Sequence, residues 1–420
     1  MGKVIGQRIP LYDAYRHVAG QTKYVDDIYL PGMLYVKTAK LPVPHARILN
    51  IDTSAAERVP GVAGVITYKD VPNNYWGPFV QDQPVLPDKY VRYLGQPVVA
   101  IAAVDEDTAQ EAAEKVKIDY EELPPVFDPE EAMQPGTPEV HEGGNIAKLG
   151  GHDAVMVRLG DVEKGFEESD YIIEHRFRTG MNEHAFLEPH CSVAEADANG
   201  HVTIYTASQT TSWHQFLIAG VLAKPVSDIR IVASPLGGGF GGKSNPSTEF
   251  VCALLAEKTG KPVKWRWTRE EEFLISTVRS ADIMYMKTGF KKDGTLVARQ
   301  IKYIQDTGAY NDFGTYGMLK LTSQINGPYR VPNVWFDGYV VYTNKQVVGP
   351  MRGYSITQSV SANETQMEMI AEITGLDPIE VRRKNLFTDG DILPTQQVLE
   401  AVGARETLEA VIEASGWYKK

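Results

Sequence analysis

The stretch SPLGGGFGGKSN, Ser234 to Asn245, decides how the rest of the chain is read. Gly237 to Ser244 fits G-x-x-x-x-G-K-[ST], the phosphate loop of nucleotide hydrolases. Gly237 to Gly242 fits G-x-G-x-x-G, the dinucleotide fingerprint. Both need a strand before the loop and a helix after it, because the phosphate rests on the helix N-terminus. Asp228 to Val232 can supply the strand, and PSTEFVCALLAEKTG, from Pro246, the helix. Three features weigh against both readings. The helix starts beyond Lys243 and Ser244, whereas a phosphate loop keeps its lysine and hydroxyl inside the first turn. YIQD, ending at Asp306, is a poor strand-borne metal carboxylate. KPVKWRW offers no acidic residue where a dinucleotide site needs one for the ribose. A plain turn needs one or two glycines. Five within 237–242 cost roughly 0.5–1 kcal/mol each in chain entropy. The loop is therefore expected to bring backbone amides close to something that side chains would block.

The chain around this loop has 420 residues, enough for two or three domains. Apolar residues are 43% and charged residues 23%, the balance of a soluble globular protein. The net charge of −12 is spread along the chain without a basic stripe, which argues against a nucleic-acid surface. The N-terminal stretch has no signal-peptide core, and no apolar run approaches a membrane span. The chain reads as cytoplasmic. Cys191 and Cys252 form no spacing motif, so neither a disulfide framework nor a cysteine-held cluster is expected. His175, His184 and His190 with Cys191 match no zinc spacing and read as ordinary strand and turn residues.

Residues 15–125 alternate short strands and helices. In GQPVVAIAAVDEDTAQEAAEKV, the run Val98 to Val104 suits a buried strand. Asp105 can cap the next helix, with Ala109, Ala112, Ala113 and Val116 on one face. Ile118 to Leu123 reads as another strand, and Asp52 or Thr53 caps a short helix stopped by Pro60 and Gly61. Five prolines between Pro124 and Pro138, then Gly143 and Gly144, mark a linker. Three parts follow: residues 1–125, a proline-rich linker 126–147, and 148–420. Strands are expected in the last part at Tyr171–Arg178, His201–Thr206, Asp228–Val232, Val263–Trp267, Ile283–Phe290 and Leu296–Asp306. Asp377 and Pro378 open a helix, and Arg405–Ser415 forms a last one.

LGGGFGGK at 236–243 resembles the signature loop of the molybdenum hydroxylases, the xanthine dehydrogenase and aldehyde oxidase family. Other segments agree in order: NEHAFLEPHC at 182–191, VKWRWTREEEF at 263–273, GPYRVPN at 327–333 and GPMRGYS at 349–355. The region from about 20 to 125 is similar to the family's hammerhead domain. The resemblance implies an α+β fold: an N-terminal hammerhead α/β domain, then the first half of a mixed α/β molybdopterin-binding domain. The family's distal G-x-G-E motif, which carries the catalytic base, is absent from these 420 residues. No catalytic residue is therefore expected in this chain. The expectation is a natural split, with the base on a second molybdopterin-subunit chain.

The resemblance also implies the chemistry: hydroxylation of an electron-poor carbon, with water as the oxygen source. It implies molybdopterin, as its cytosine dinucleotide, with molybdenum and a terminal sulfido or selenido ligand. The 2Fe-2S clusters and FAD would sit on partner subunits. Cofactor contacts fall on Gly238, Gly239, Phe240, Gly241, Arg352 and Asn182. Of these, Phe240, Asn182 and Arg352 would stand closest to the metal without ligating it. Asn182 stands where the family often has glutamine and is one methylene shorter. Tyr354 matches an aromatic that stacks on the substrate, and Lys320 a cationic substrate contact. Ser244 occupies the place of a glutamate that recognises purines. A cation kept without that acid suits a ring bearing a carboxylate. The expected substrate is a small aromatic heterocycle such as nicotinate. Purine or aldehyde hydroxylation, and nucleotide hydrolysis at Gly237–Ser244, are the alternatives.

Overall fold

GQPVVAIAAVDEDTAQEAAEKV folds as its pattern predicts. The computed structural model describes residues 4–419 and places a strand at Pro97–Ala103, with Val98 to Ala103 fully buried. The Asp105 carboxylate accepts from the Thr108 amide at 2.7 Å and caps the helix Glu106–Glu114. Ala109, Ala112 and Ala113 face inward, and their small size lets the helix lie close on the sheet.

That strand belongs to a seven-stranded mixed sheet that unites distant parts of the chain. Its order is Ile229–Ala233, Val202–Thr206, Cys191–Ala196, Val263–Arg266, Leu34–Lys40, Pro97–Ala103, Val62–Ile66. Leu34–Lys40 pairs antiparallel with Pro97–Ala103 and parallel with Val263–Arg266, where Leu34 sits opposite Val263. The sheet thus takes strands from both sides of the proline-rich segment. Helix Glu249–Thr259 packs on it, buried from Glu249 through Ala256, and Gly260 ends it at φ 64°. A helix covered on all sides shows no amphipathic stripe, only a continuous apolar run.

A second sheet, of five strands, runs Tyr171–Arg178, Asp282–Phe290, Leu296–Gly308, Asn333–Tyr342, Val155–Leu159. Helix Ile356–Thr374 covers it with Ala362, Met367, Ile370 and Ala371. A smaller sheet joins Ala46–Asp52 to Lys117–Glu122 and Tyr90–Val91.

Residues 126–147 pack tightly. Val126 and Asn344 exchange hydrogen bonds of 2.8 and 2.9 Å, the buried Arg92 donates to the Val140 carbonyl at 2.7 Å, and Ala132 and Ala147 are buried. The prolines set turns there, and Pro129 opens a short helix, Pro129–Ala132, capped by Asp128. The helix expected from Pro246 begins at Glu249, after a turn. Among the described residues no helix is long and apolar enough to cross a membrane.

Candidate functional site

The glycine loop connects the edge strand Ile229–Ala233 to the buried helix Glu249–Thr259. Gly238, Phe240 and Gly241 have φ of 103°, 50° and 105°. At Phe240 the left-handed backbone of a bulky residue is strained, so its surroundings must hold it there. They do so at both ends of the loop. The Glu188 carboxylate accepts from the Gly237 amide at 2.8 Å, and the Lys243 ammonium donates to it at 2.9 Å. Lys243 also donates to the Glu188 carbonyl at 2.8 Å and lies 4.6 Å from the Phe186 ring centre. The Gln209 side-chain oxygen accepts from the amides of Gly241 and Lys243.

Beneath the loop, His190 contacts both Glu272 carboxylate oxygens through Nδ1 at 3.0 Å and the Gly242 carbonyl through Nε2 at 3.3 Å. Both ring nitrogens face oxygen atoms of the surrounding protein, which fixes the ring beneath the loop. Burial would raise the Glu272 carboxyl, but the neighbouring His190 holds it below the ordinary range.

This geometry overturns the phosphate-loop reading. Lys243 is almost wholly buried and already neutralised by Glu188, so it cannot reach a phosphate. The first helical residue, Glu249, comes too late to present amides to a bound anion.

The glycines also have a more local reason than close approach of a ligand. A Cβ on Gly237 would stand 2.5 Å from Glu188 Cβ, and one on Gly238 2.9 Å from Phe186 Cβ. On Gly239 it would press on the Gln209 oxygen, and on Gly242 on the His184 ring. On Gly241 it would collide with the Pro350 carbonyl. What the loop presents outward is Phe240, 47% exposed, whose amide has no acceptor among the described residues.

Arg352 and Asn182 are brought to this spot through main-chain contacts. The Arg352 amide donates to the Phe240 carbonyl at 2.8 Å. Arg279 donates to the Arg352 carbonyl at 2.6 Å from its guanidinium and to the Asn182 carbonyl at 2.8 Å from its amide. Both side chains, the Arg352 guanidinium and the Asn182 carboxamide, are exposed. The outward set is therefore a main-chain amide, a carboxamide and a guanidinium. It offers donors and no thiolate or imidazole, which fits an anionic cofactor that brings its own metal ligands.

Lys320 and Tyr354 lie on a neighbouring wall. Lys320 is exposed on helix Gly314–Leu321, where no sequence pattern predicts a helix. Tyr354 covers Gly317, one turn before Lys320, and its hydroxyl donates to the Phe313 carbonyl. Burial raises that hydroxyl well above the usual tyrosine range. Its ring meets Phe313 edge-on at 6.5 Å, so the side chain is fixed. Tyr316 stacks on Phe79 at 5.2 Å, which brings an aromatic from the N-terminal part to the rim.

Ser244 is half-buried at the far end of the loop, and its carbonyl accepts from Thr210 at 2.6 Å. The adjoining Asn245 donates to the buried Asp312, which ties the loop to the start of the Lys320 helix. Burial pushes the Asp312 carboxyl up to about 8. A cavity of about 70 Å³ behind the loop is lined by Gly241, Gly242, Asn245 and Asp312, and none of Phe240, Arg352, Lys320 or Tyr354 borders it. The supporting residues Glu188, Gln209, Glu272, Arg279 and Asp312 carry no local sequence pattern. The one available signal is the acid in LEPHC, next to histidines within a motif.

Comparison with known proteins places these segments. The Molybdopterin cofactor-binding domain family matches residues 141–386, and the Aldehyde oxidase and xanthine dehydrogenase, a/b hammerhead domain family matches 19–124. The nicotinate dehydrogenase large molybdopterin subunit of Eubacterium barkeri is 38% identical over 428 residues, covering 100% of both chains. The xanthine dehydrogenase molybdenum-binding subunit of Escherichia coli O157:H7 is 30% identical over 97% of this chain and 55% of its own length. The solved aldehyde oxidoreductase from Desulfovibrio gigas superposes with a TM-score of 0.91 at 32% identity, over 96% of this chain and 46% of that one. Quinoline 2-oxidoreductase from Pseudomonas putida 86 gives 0.91 at 27% identity, over 100% and 55%. The chain thus spans the whole of the Eubacterium relative and about half the length of the others.

Proposed function

This chain belongs to the molybdenum hydroxylases, the xanthine dehydrogenase and aldehyde oxidase family, and on that premise we propose that it serves an enzyme that hydroxylates an N-heteroaromatic acid such as nicotinate. The observation that carries the substrate class is an exposed lysine at 320 together with a neutral serine, not an acid, at 244. A site for a purine would want an acid at Ser244. A ring carboxylate wants the cation and no acid beside it. The resemblance in length and sequence to a chain named as a large molybdopterin subunit supports the same reading.

When bound, the molybdenum cofactor supplies the two-electron oxidation. The chain's own residues bind and orient. The Phe240 amide and the Asn182 carboxamide donate hydrogen bonds to the cofactor, and the Arg352 guanidinium adds positive charge. Tyr354, fixed by its bond to Phe313, offers its ring as a flat apolar wall for the substrate. Lys320 holds the carboxylate at the outer edge, and Ser244 contributes a neutral hydroxyl. We place the base that activates water on a second chain carrying G-x-G-E. The 2Fe-2S clusters and FAD belong on further subunits of a cytoplasmic assembly. The pterin as cytosine dinucleotide and a sulfido or selenido ligand complete the reading. The division into residues 1–125, 126–147 and 148–420 is proposed as two family modules joined through one shared sheet.

The test is to purify the native assembly, measure molybdenum per chain, and compare turnover of nicotinate, xanthine and an aromatic aldehyde. About one molybdenum per chain with preference for nicotinate is expected. Preference for xanthine or the aldehyde refutes the substrate, and absence of molybdenum refutes the cofactor assignment.

A further inference from the structure

The loop motif ends in a lysine that neither a phosphate nor the outward donor set uses. Lys243 is 1% exposed, and its partner Glu188 is 11% exposed at the side chain. A buried ion pair is a poor source of net stability, because desolvation consumes most of the Coulomb attraction. Its contribution has to be sought in geometry. Among the described residues, the Glu188 carboxylate is the one group that touches both ends of the loop, the amide of Gly237 and the ammonium of Lys243. The main chain repeats the connection, since the Glu188 amide donates to the Gly237 carbonyl at 3.1 Å and Lys243 donates to the Glu188 carbonyl. Between these two ends lie the three residues with positive φ. Phe186 closes the space over the ammonium and meets Gly238 from below.

We propose that Glu188 and Lys243 are positioning residues: together they staple the ends of the glycine loop and force Phe240 into its left-handed turn, with its amide aimed at the cofactor. The proposal rests on the cofactor reading for what the amide meets, but the closure of the loop stands independently of it. Each partner supplies what the other needs. The carboxylate orders the amide of Gly237 only while the ammonium neutralises it, and the ammonium tolerates burial only because Glu188 and the Phe186 ring face it.

The experiment uses the native assembly with Lys243→Met, Glu188→Gln and the double variant, and reads amide hydrogen exchange in peptides spanning 234–245 beside molybdenum content. Lys243→Met leaves a buried lone carboxylate. It should raise exchange at 237–242 at least tenfold and cut molybdenum content at least tenfold. Exchange in the strand Pro97–Ala103 and the helix Ile356–Thr374 should stay within twofold. Glu188→Gln in the Lys243→Met background removes the stranded charge and keeps an acceptor for Gly237. It should bring loop exchange only part of the way back, because the Gly237 end is held again while the residue-243 end stays untied. A general role in folding predicts something else: exchange rising everywhere, and a double variant no better than the single. Either that pattern or unchanged loop exchange in Lys243→Met overturns the proposal. If Lys243→Met does not accumulate, the milder Glu188→Gln decides alone through the same loop peptides. Wild type without molybdenum would sink the cofactor reading while leaving the exchange data to judge the staple.

Discussion

Asp312 gives the sharpest test of the architecture around the site. Replacing it with asparagine keeps shape and removes the ability to ionise. The carboxyl is buried, takes a hydrogen bond from Asn245 on one oxygen and has no partner among the described residues on the other. Burial is the main cause that lifts it from 3.8 to about 8. The sign follows from proton binding. Between these two values the folded state holds a proton that the unfolded state has released, so stability is present at low pH and lost as pH rises toward 8. Integrating that difference from pH 5 to pH 8 gives a loss of about 4 kcal/mol from this one group. An unfolding entropy of ~2.1 cal/mol/K per residue makes this about 4 °C for a chain of this length. Asp282, at about 7, adds a slope of the same sign that is common to wild type and variant and cancels in the comparison, whereas Asp82, at about 6, is coupled to Asp312 and is controlled separately. The assay is a thermal melt of the native assembly at pH 5 and at pH 8. The advantage of Asp312→Asn over wild type should grow by about 4 °C between them. Because Asp82 is the charge coupled to Asp312, the same comparison in an Asp82→Asn background controls for their repulsion. Parallel pH curves within 1 °C would refute a neutral Asp312 at the centre of the site.

Four further outcomes are expected. Gly241→Val places a branched side chain at φ 105° against the Pro350 carbonyl and should abolish molybdenum loading, measured by metal analysis. Lys320→Met should lower kcat/KM for a carboxylated ring about 10- to 100-fold, the value of a charge-assisted bond of roughly 1.5–3 kcal/mol, and leave the ring carboxamide nearly unchanged. Tyr354→Ala should weaken both ligands alike; equal losses in Lys320→Met remove the carboxylate argument. Asp105→Ala should cost about 1 kcal/mol of stability through loss of the cap, visible as a small drop in melting temperature without change in metal content.

Sequence patterns are most legible where one short segment carries its own reason. Asp105 and Asp377 cap helices as their positions imply, the latter accepting from the Ile379 and Glu380 amides. The strands Tyr171–Arg178 and Asp282–Phe290 show the expected runs. Helix Ile356–Thr374 gives no such signal. It begins after Ser355 in a left-handed conformation, with no cap bond from its side chain, and it carries Gln358, Ser359, Asn363 and Gln366 on its buried side. Those polar residues satisfy groups on other elements, as Asn363 does for the buried Arg299. A helix that buries polar groups shows little stripe to read. The candidate residues Phe240, Arg352 and Asn182 can be named only through family resemblance. The contacts that bring them together run through Arg279, which no local pattern singles out.

The three readings of the glycine stretch differ in what they ask of the glycines and of the lysine. A phosphate loop asks its glycines for amides aimed at a ligand, and its lysine for an ammonium at that ligand. Here every glycine between 237 and 242 has a protein neighbour where its Cβ would be, and the ammonium points inward to Glu188. The entropy cost of five glycines therefore offsets steric conflict inside the protein, and it leaves Phe240 as the single residue turned outward. Composition alone cannot separate these cases, because both require the absence of Cβ atoms. The direction of the lysine separates them. A lysine that must reach a ligand stays solvent-accessible, whereas one that closes a loop is buried against a carboxylate from elsewhere in the chain. In SPLGGGFGGKSN that carboxylate is 55 residues away. The decisive residue lies outside the motif, so the loop's function depends on a contact that only the fold creates.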